Sequence, residues 1–308
     1  MKKKWAKWTL SDIKYDQKIL YWYEKFGYNF YYYYIKIRDF WVNKSSLVHF
    51  VYETNTQCTL KCKECHSYMP YFKSHYMVDF DTFKKEIDKL LKSVDLICSF
   101  RLQGGETLLV KDLAKIIEYA CSKKQIQHIQ VISNGTIIPS EDLLKAMKNP
   151  KVLFSLSDYS CNEAIKNRLK YDEILKLCQL NGVNAKHWLT KPGEKWVARN
   201  VIKNCKLPTN KDISNKNLSS CWCFAFPKAI ILFMGKLYIC APEVFYHFNV
   251  PDFYIEDIEL IDVLNLKTKK LTKAIKTLVK KRVFNLCTRC NAYENRDVKS
   301  TPGVQIDD

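Results

Sequence analysis

From residue 47 onward, short apolar runs alternate with longer stretches in which apolar residues recur every three or four positions. Residues 47–54, 96–102, 128–133, 152–156 and 183–189 read as strands. Between them, Phe80, Phe83, Ile87, Leu90 and Leu91 share one helical face behind Asp79 or Asp81, which supply an N-terminal cap. Leu113, Ile116 and Ile117, with Tyr119 or Ala120, form a second such face, and residues 165–180 a third helix. Repeated strand–helix units predict a parallel sheet with ligands at the carboxyl ends of its strands, here an α/β partial (β/α) barrel. Further on, residues 229–233, a turn at Met234-Gly235 and residues 236–240 read as a β-hairpin. A lysine-rich helix is expected over 266–283, with Leu271, Ile275 and Leu278 on its apolar side and lysines on a solvated face.

Two segments lack this pattern. Residues 1–46 are basic and then crowded with aromatics, four of them the tyrosines at 31–34. Ser11 is placed to cap a helix through Tyr15, Ile19, Leu20 and Tyr23. Rings interleaved with lysines suit packing across a domain better than stacking on bases, while peripheral membrane contact stays open. Residues 191–220 have little apolar periodicity and read as a linker or traversing loop. The expected division is 1–46 extension, 47–190 core, 191–220 linker and 221–308 a small hairpin-and-helix domain.

At 308 residues the chain holds one large domain or two of moderate size, and 47% hydrophobic residues allow a sizeable core. The net charge of +18 is mostly lysine and is read chiefly as compositional bias, with an anionic small substrate as the functional alternative. No RNP-like or helix-turn-helix signature supports nucleic acid as a partner. No run reaches the ~18–20 apolar residues of a membrane span. Thirteen cysteines behind no signal peptide point to a reducing cytoplasm, against a disulfide framework and covalent haem.

Cys58, Cys62 and Cys65 place three thiols within eight residues, directly after the first strand. Soft thiolates suit an Fe–S cluster; with His66 they also fit Cys₃His zinc, Cys62 to His66 matches haem attachment, and plain packing is the bland reading. The second strand runs into Gly104-Gly105-Glu106, the third into Asn134-Gly135-Thr136 and the fourth into Ser157-Asp158-Tyr159. Taken singly, Gly104-Gly105 is an ordinary strand-to-helix turn and Asn134-Gly135 a turn dipeptide.

Together, in this order over residues 47–190, the C-x₃-C-x₂-C loop and the GGE motif resemble the radical S-adenosylmethionine (SAM) enzymes. The resemblance implies that Cys58, Cys62 and Cys65 hold a [4Fe–4S] cluster whose open iron chelates the amino and carboxylate groups of SAM. One electron, from a donor such as flavodoxin or ferredoxin, then cleaves the sulfonium and releases a 5′-deoxyadenosyl radical. It also implies SAM contacts from Gly104, Gly105 and Glu106 to the amino group, and from Asn134, Ser155 and Ser157 to the ribose or carboxylate. The aromatic residue usual before the third cysteine is replaced by Glu64, with His66 or Tyr68 as substitutes beside the adenine.

A second group comprises Cys221, Cys223, Cys240, Cys287 and Cys290. A hairpin cysteine, a flanking one and a C-x₂-C loop supply four thiolates, as in zinc ribbons. The spacing Gly235-x₄-Cys240 followed by Cys287-x₂-Cys290 resembles the Twitch domain, the shortened SPASM domain, which implies an auxiliary [4Fe–4S] cluster, with zinc as alternative. Cys223 is favoured over Cys221 as first ligand. Cys98, Cys121 and Cys178 are read as core residues. Lys228, Tyr238 and Glu243, near the hairpin, are candidates to face substrate. The implied reaction is hydrogen abstraction from a small, carbohydrate-derived substrate, ending in oxidation or rearrangement. Peptide maturation and a zinc-stabilised binding module without catalysis are the competing readings.

Overall fold

The computed structural model describes residues 37–38, 45–187, 194–221 and 229–306. The helix expected after Ser11, the tyrosines at 31–34, Cys223 and Lys228 lie outside them. Five strands follow the expected course: β1 (Ser45–Glu53), β2 (Val94–Gln103), β3 (Ile129–Ser133), β4 (Val152–Leu156) and β5 (Ala185–His187). Each pairs in parallel with the next. The crossovers carry α1 (Phe80–Leu91), α2 (Leu113–Ser122), α3 (Glu141–Met147) and α4 (Tyr171–Leu180). Asp79 caps α1 by accepting from the Thr82 amide at 2.7 Å, and Ser140 caps α3.

The expected helix over 165–180 is divided. A 3₁₀ turn, Glu163–Arg168, starts on the Asn162 side chain, and α4 begins only after the Lys170 amide has donated to the Gly135 carbonyl at 2.8 Å. That bond ties the start of α4 to the end of β3.

Residues 211–220, expected as linker, form a helix, α5 (Lys211–Ser220), capped by Asn210. Its inward residues are Ser214 and Asn217, which hydrogen-bond to backbone of the C-terminal segment. A helix that buries polar side chains shows no apolar period in its sequence.

The hairpin β7 (Ala229–Phe233) and β8 (Lys236–Tyr238) forms where expected, with Met234 and Gly235 both at positive φ in a two-residue turn. It does not build a separate sheet: β7 pairs in parallel with β1, and β9 (Ile261–Asp262) continues the sheet beyond β8. The result is one open eight-stranded sheet in the order β5-β4-β3-β2-β1-β7-β8-β9. The lysine-rich helix lies at Thr268–Lys280 and buries Leu271, Ile275 and Leu278. A short pair, β6 (Trp196–Val197) with β10 (Lys299–Ser300), ties the chain after β5 to the C-terminal segment.

The outer face of the sheet is apolar. Phe50, Tyr52, Phe100, Leu102, Val131, Phe154 and Leu156 are fully buried beneath the helices. Phe83 of α1 meets Tyr52 edge-on at 4.9 Å and Phe100 at 6.3 Å. Strand side chains alternate between faces, so the next residues along β1 to β5 point the other way. Truncating Phe83 to alanine should lower the unfolding free energy by about 3–5 kcal/mol, read from anaerobic urea denaturation.

Candidate functional site

The loop after β1 is held from three directions. On one side lies the turn after β2: the Gly105 amide donates to the Asn55 carbonyl at 3.0 Å and the Glu106 amide to the Gln57 carbonyl at 2.8 Å. The Asn55 side-chain amide donates to the carbonyls of Gln57 and Glu106, each at 3.0 Å. A Cβ on Gly104 would stand 2.3 Å from Asn55 Oδ1, and one on Gly105 only 1.9 Å from the Gln57 carbonyl oxygen. Neither glycine has positive φ. They are required for close approach, not for an unusual backbone conformation.

From the end of β3, Asn134 reaches across to the loop. Its Nδ2 donates to Thr59 Oγ1 at 2.9 Å and stands 3.5 Å from Cys58 Sγ, while its Oδ1 accepts from the Thr136 amide and hydroxyl. The third support is the C-terminal segment, which runs antiparallel beside the loop. The Lys63 amide donates to the Val304 carbonyl at 2.7 Å, the Ile306 amide to the Lys61 carbonyl at 2.8 Å, and the Lys61 amide to Gln305 Oε1 at 2.8 Å. Sequence reading missed this support, because three short residues at such separation carry no local signal.

Cys58, Cys62 and Cys65 are free thiols of intermediate exposure. Burial pushes Cys58 up to about 11; for Cys62, burial and then the charges of Cys65 and Cys58 push it up to about 12. Tyr159 is raised as well, first by its own burial and then by the charges of Cys62, Cys58 and Cys65. Any metal or cluster bound by these thiols would have to displace their protons. His66, the candidate fourth zinc ligand, has its Nε2 engaged 2.8 Å from the Val197 carbonyl oxygen. Tyr68 is likewise occupied, stacked on Phe245 at 4.5 Å with the Arg199 guanidinium over its ring. Tyr159, 4.9 Å from Trp196, is the ring beside the thiols that sequence reading did not single out.

The other predicted residues divide. The Glu106 carboxylate is fully buried and accepts from the Leu108 amide at 3.0 Å and the Asn134 amide at 2.8 Å. It therefore joins the ends of β2 and β3 and leaves outward contacts to the backbone of the turn. The Ser157 amide donates to the Ser133 carbonyl at 2.9 Å, beside the site. Ser155 lies deeper, on the inner face of β4, accepting from Gln130 Nε2 at 3.0 Å.

Residues 52–184 match the family model of the Radical SAM superfamily. They are a radical SAM domain. A curated relative, the S-adenosylmethionine-dependent nucleotide dehydratase of Selenomonas ruminantium, is 28% identical over 181 residues, covering 54% of this chain. The match spans 58% of that relative's length. Among solved structures, BtrN in complex with AdoMet and 2-DOIA is similar at 15% identity, 85% of this chain, 98% of that chain and a TM-score of 0.48. Native anSMEcpe with bound AdoMet is similar at 16% identity, 84% of this chain, 93% of that chain and a TM-score of 0.48.

Beyond the radical SAM domain, Cys221, Cys240, Cys287 and Cys290 line one cavity with Asn200, Ile202 and Asn217. Burial pushes the Cys290 thiol up to about 12, and Cys240 and Cys287 are also raised, first by burial and then by neighbouring charges, Cys221 among them. Asn200 stands 3.8 Å from Cys221 Sγ through its Nδ2 and accepts the Tyr68 hydroxyl on its carbonyl, so it touches both cysteine groups' surroundings. Among the described residues no three His, Cys, Asp or Glu side chains converge tightly enough for a single ion; thiolates on separate irons of a cluster need no such closeness. Tyr238 and Glu243 are fully buried: Tyr238 pairs with His247 at 3.1 Å, and Glu243 Oε2 accepts from the Ile239 amide at 2.7 Å.

One buried acid of the radical SAM domain was not singled out in the sequence. Burial raises Glu53 from 4.5 to about 7, opposed in part by a bond from Gln103 and the charge of Arg101. A raised carboxyl contributes stability that is present below about pH 4.5 and lost as pH rises toward 7. Glu53→Gln should therefore flatten the decline in melting temperature over that interval. Gly105→Ala should displace residues 55–58 and sharply reduce the iron and sulfide taken up on reconstitution, with the outer-face core intact by circular dichroism.

Proposed function

We propose that this chain is a radical SAM enzyme acting on a small polar substrate, carbohydrate-derived in our leading reading, by oxidation or rearrangement at carbon. The observation that carries it is the packing of the loop bearing Cys58, Cys62 and Cys65 against the Gly104-Gly105 turn and Asn134, at the carboxyl ends of β1, β2 and β3. Cys58, Cys62 and Cys65 would hold a [4Fe–4S] cluster, with SAM between the turn and Ser157. When bound, that pair supplies a one-electron cleavage yielding a 5′-deoxyadenosyl radical. The chain's own residues set the surroundings. The Leu60 amide, at 3.4 Å, and the Asn134 side chain donate toward Cys58 Sγ, stabilising a thiolate there. Tyr159 packs against Trp196 after β4, and a dry, fixed environment favours radical chemistry over side reactions with water.

The C-terminal part is read as a Twitch-like unit whose second [4Fe–4S] cluster sits on Cys221, Cys240, Cys287 and Cys290. Cys221 is taken as the fourth ligand because it lines the cavity with the other three; Cys223, favoured on spacing, lies outside the described residues. Reductant comes from an external donor such as flavodoxin or ferredoxin. A phosphorylated small molecule is the substrate class favoured by the curated relative, which acts on a nucleotide. Free thiols and an oxygen-labile cluster suit a reducing compartment. Among the described residues no helix is long and apolar enough to cross a membrane.

Anaerobic reconstitution, reduction and assay for 5′-deoxyadenosine test the reading. The unaltered protein should be brown and form 5′-deoxyadenosine; Cys58→Ala should form none. Cys287→Ala and Cys221→Ala should each lower iron from about eight to about four per chain, while Cys223→Ala should not. A colourless protein that binds zinc and leaves SAM intact would end the proposal.

A further inference from the structure

The inner face of the sheet carries a row of polar side chains across β1 to β5, opposite the apolar outer face, while Val51 packs with Ile231 and Phe233 toward β7. On β1, Tyr52 points outward, its hydroxyl 2.6 Å from Glu86 Oε2 of α1, so Glu53 takes the opposite side. On β2, Phe100 and Leu102 pack outward and Arg101 and Gln103 inward; on β3 and β4, Gln130 and Ser155 are inward between outward apolar neighbours. On β5, His187 faces outward, its ring 4.1 Å from that of Tyr171, which turns Lys186 inward. These side chains sit side by side in register: Glu53 beside Gln103, Arg101 beside Gln130, and Ser155 beside Lys186.

Most of this surface is connected. Arg101 Nε donates to Gln130 Oε1 at 2.9 Å, Gln130 Nε2 to Ser155 Oγ at 3.0 Å, and Gln103 Nε2 to Glu53 Oε1 at 3.0 Å. The exception is Glu53 Oε2. It is buried, with Glu53 only 1% exposed, and has no hydrogen-bond partner among the described residues. An unpaired buried carboxylate oxygen is destabilising, and it persists where a ligand supplies the missing donor. It lies near enough to the cluster loop for its charge to reach Cys65.

We propose that Glu53 anchors the substrate of this enzyme, accepting a hydrogen bond from a sugar hydroxyl while Arg101 and Lys186 favour a phosphate farther along the same polar face. This rests on the radical SAM reading and adds the substrate class, a phosphorylated sugar. A free hexose phosphate and a nucleotide both carry such a hydroxyl-bearing ring; their shared chemistry is what the site recognises. A hydroxyl donor matches the orphan oxygen, and Arg101 and Lys186 bring positive charge to the same face. Burial also lowers the Lys186 ammonium from its ordinary range, which an anionic ligand would reverse.

The test uses full-length, reconstituted protein with SAM present, titrated calorimetrically with glucose 6-phosphate and, separately, with UTP. At least one should bind the unaltered protein in the millimolar range or tighter, and the one that binds identifies the source of the sugar. Glu53→Gln should weaken that binding about tenfold or more, and Lys186→Gln should do the same. Glu53→Gln should meanwhile melt higher than the unaltered protein, because it removes a buried charge with an unpaired oxygen; a purely structural Glu53 would instead melt lower. Unchanged binding in Glu53→Gln, or no binding of either probe, overturns the inference. Assay of 5′-deoxyadenosine on the same samples keeps the two ideas apart. If the unaltered protein cleaves SAM yet ignores both phosphosugars, the enzyme reading stands and only the anchor fails.

Discussion

The whole site depends on one backbone contact, the approach of the Gly104-Gly105 turn to residues 55–57. With a Cβ at either position the two segments could not touch. Because they do, the end of β2 sets the path of the chain leaving β1, and the three cysteines arrive over the strand ends instead of projecting into solvent. Glu106 then passes the constraint to β3 through the Asn134 amide, and Asn134 returns it to Cys58 and Thr59. Three strand ends are thereby locked by a short circuit of buried and half-buried hydrogen bonds, stronger than their counterparts in water.

The core of the fold was legible because each crossover helix hides an apolar stripe and each strand an apolar run. Val152–Leu156 formed as expected, and the hairpin turn was marked by its glycine. Elements whose inward residues are polar could not be read this way. Ser214 and Asn217 conceal the helix at Lys211–Ser220, and Ala241–Asn249 follows Cys240 without a prior signal of its own. Nor does hairpin chemistry reveal which strand a hairpin joins; the docking of Ala229–Phe233 along β1 is settled by burial of Ile231 and Phe233 against Val51.

The candidate site was legible to a similar degree. Cysteine spacing and the glycine pair located it, since both leave compact marks in the chain. The split role of Glu106, whose carboxylate faces inward, was not visible, because spacing fixes where a residue lies and not where its side chain turns. Glu53 was hidden for a related reason. One acid within an apolar run looks like an irregularity until the alternation of faces shows that its neighbours on adjacent strands are Arg101, Gln103 and Gln130.

Pairing of the cysteine loop with Val304–Ile306 has a bearing on how the protein matures. Lys61 and Gln305 are 244 positions apart, so the outer edge of the loop is a long-range contact that needs distant parts of the chain brought together. A zinc finger is shaped by its ion, which arrives while the peptide is still unfolded. In this protein the outer edge of the loop is set by the polypeptide itself, through its contacts with Val304–Ile306.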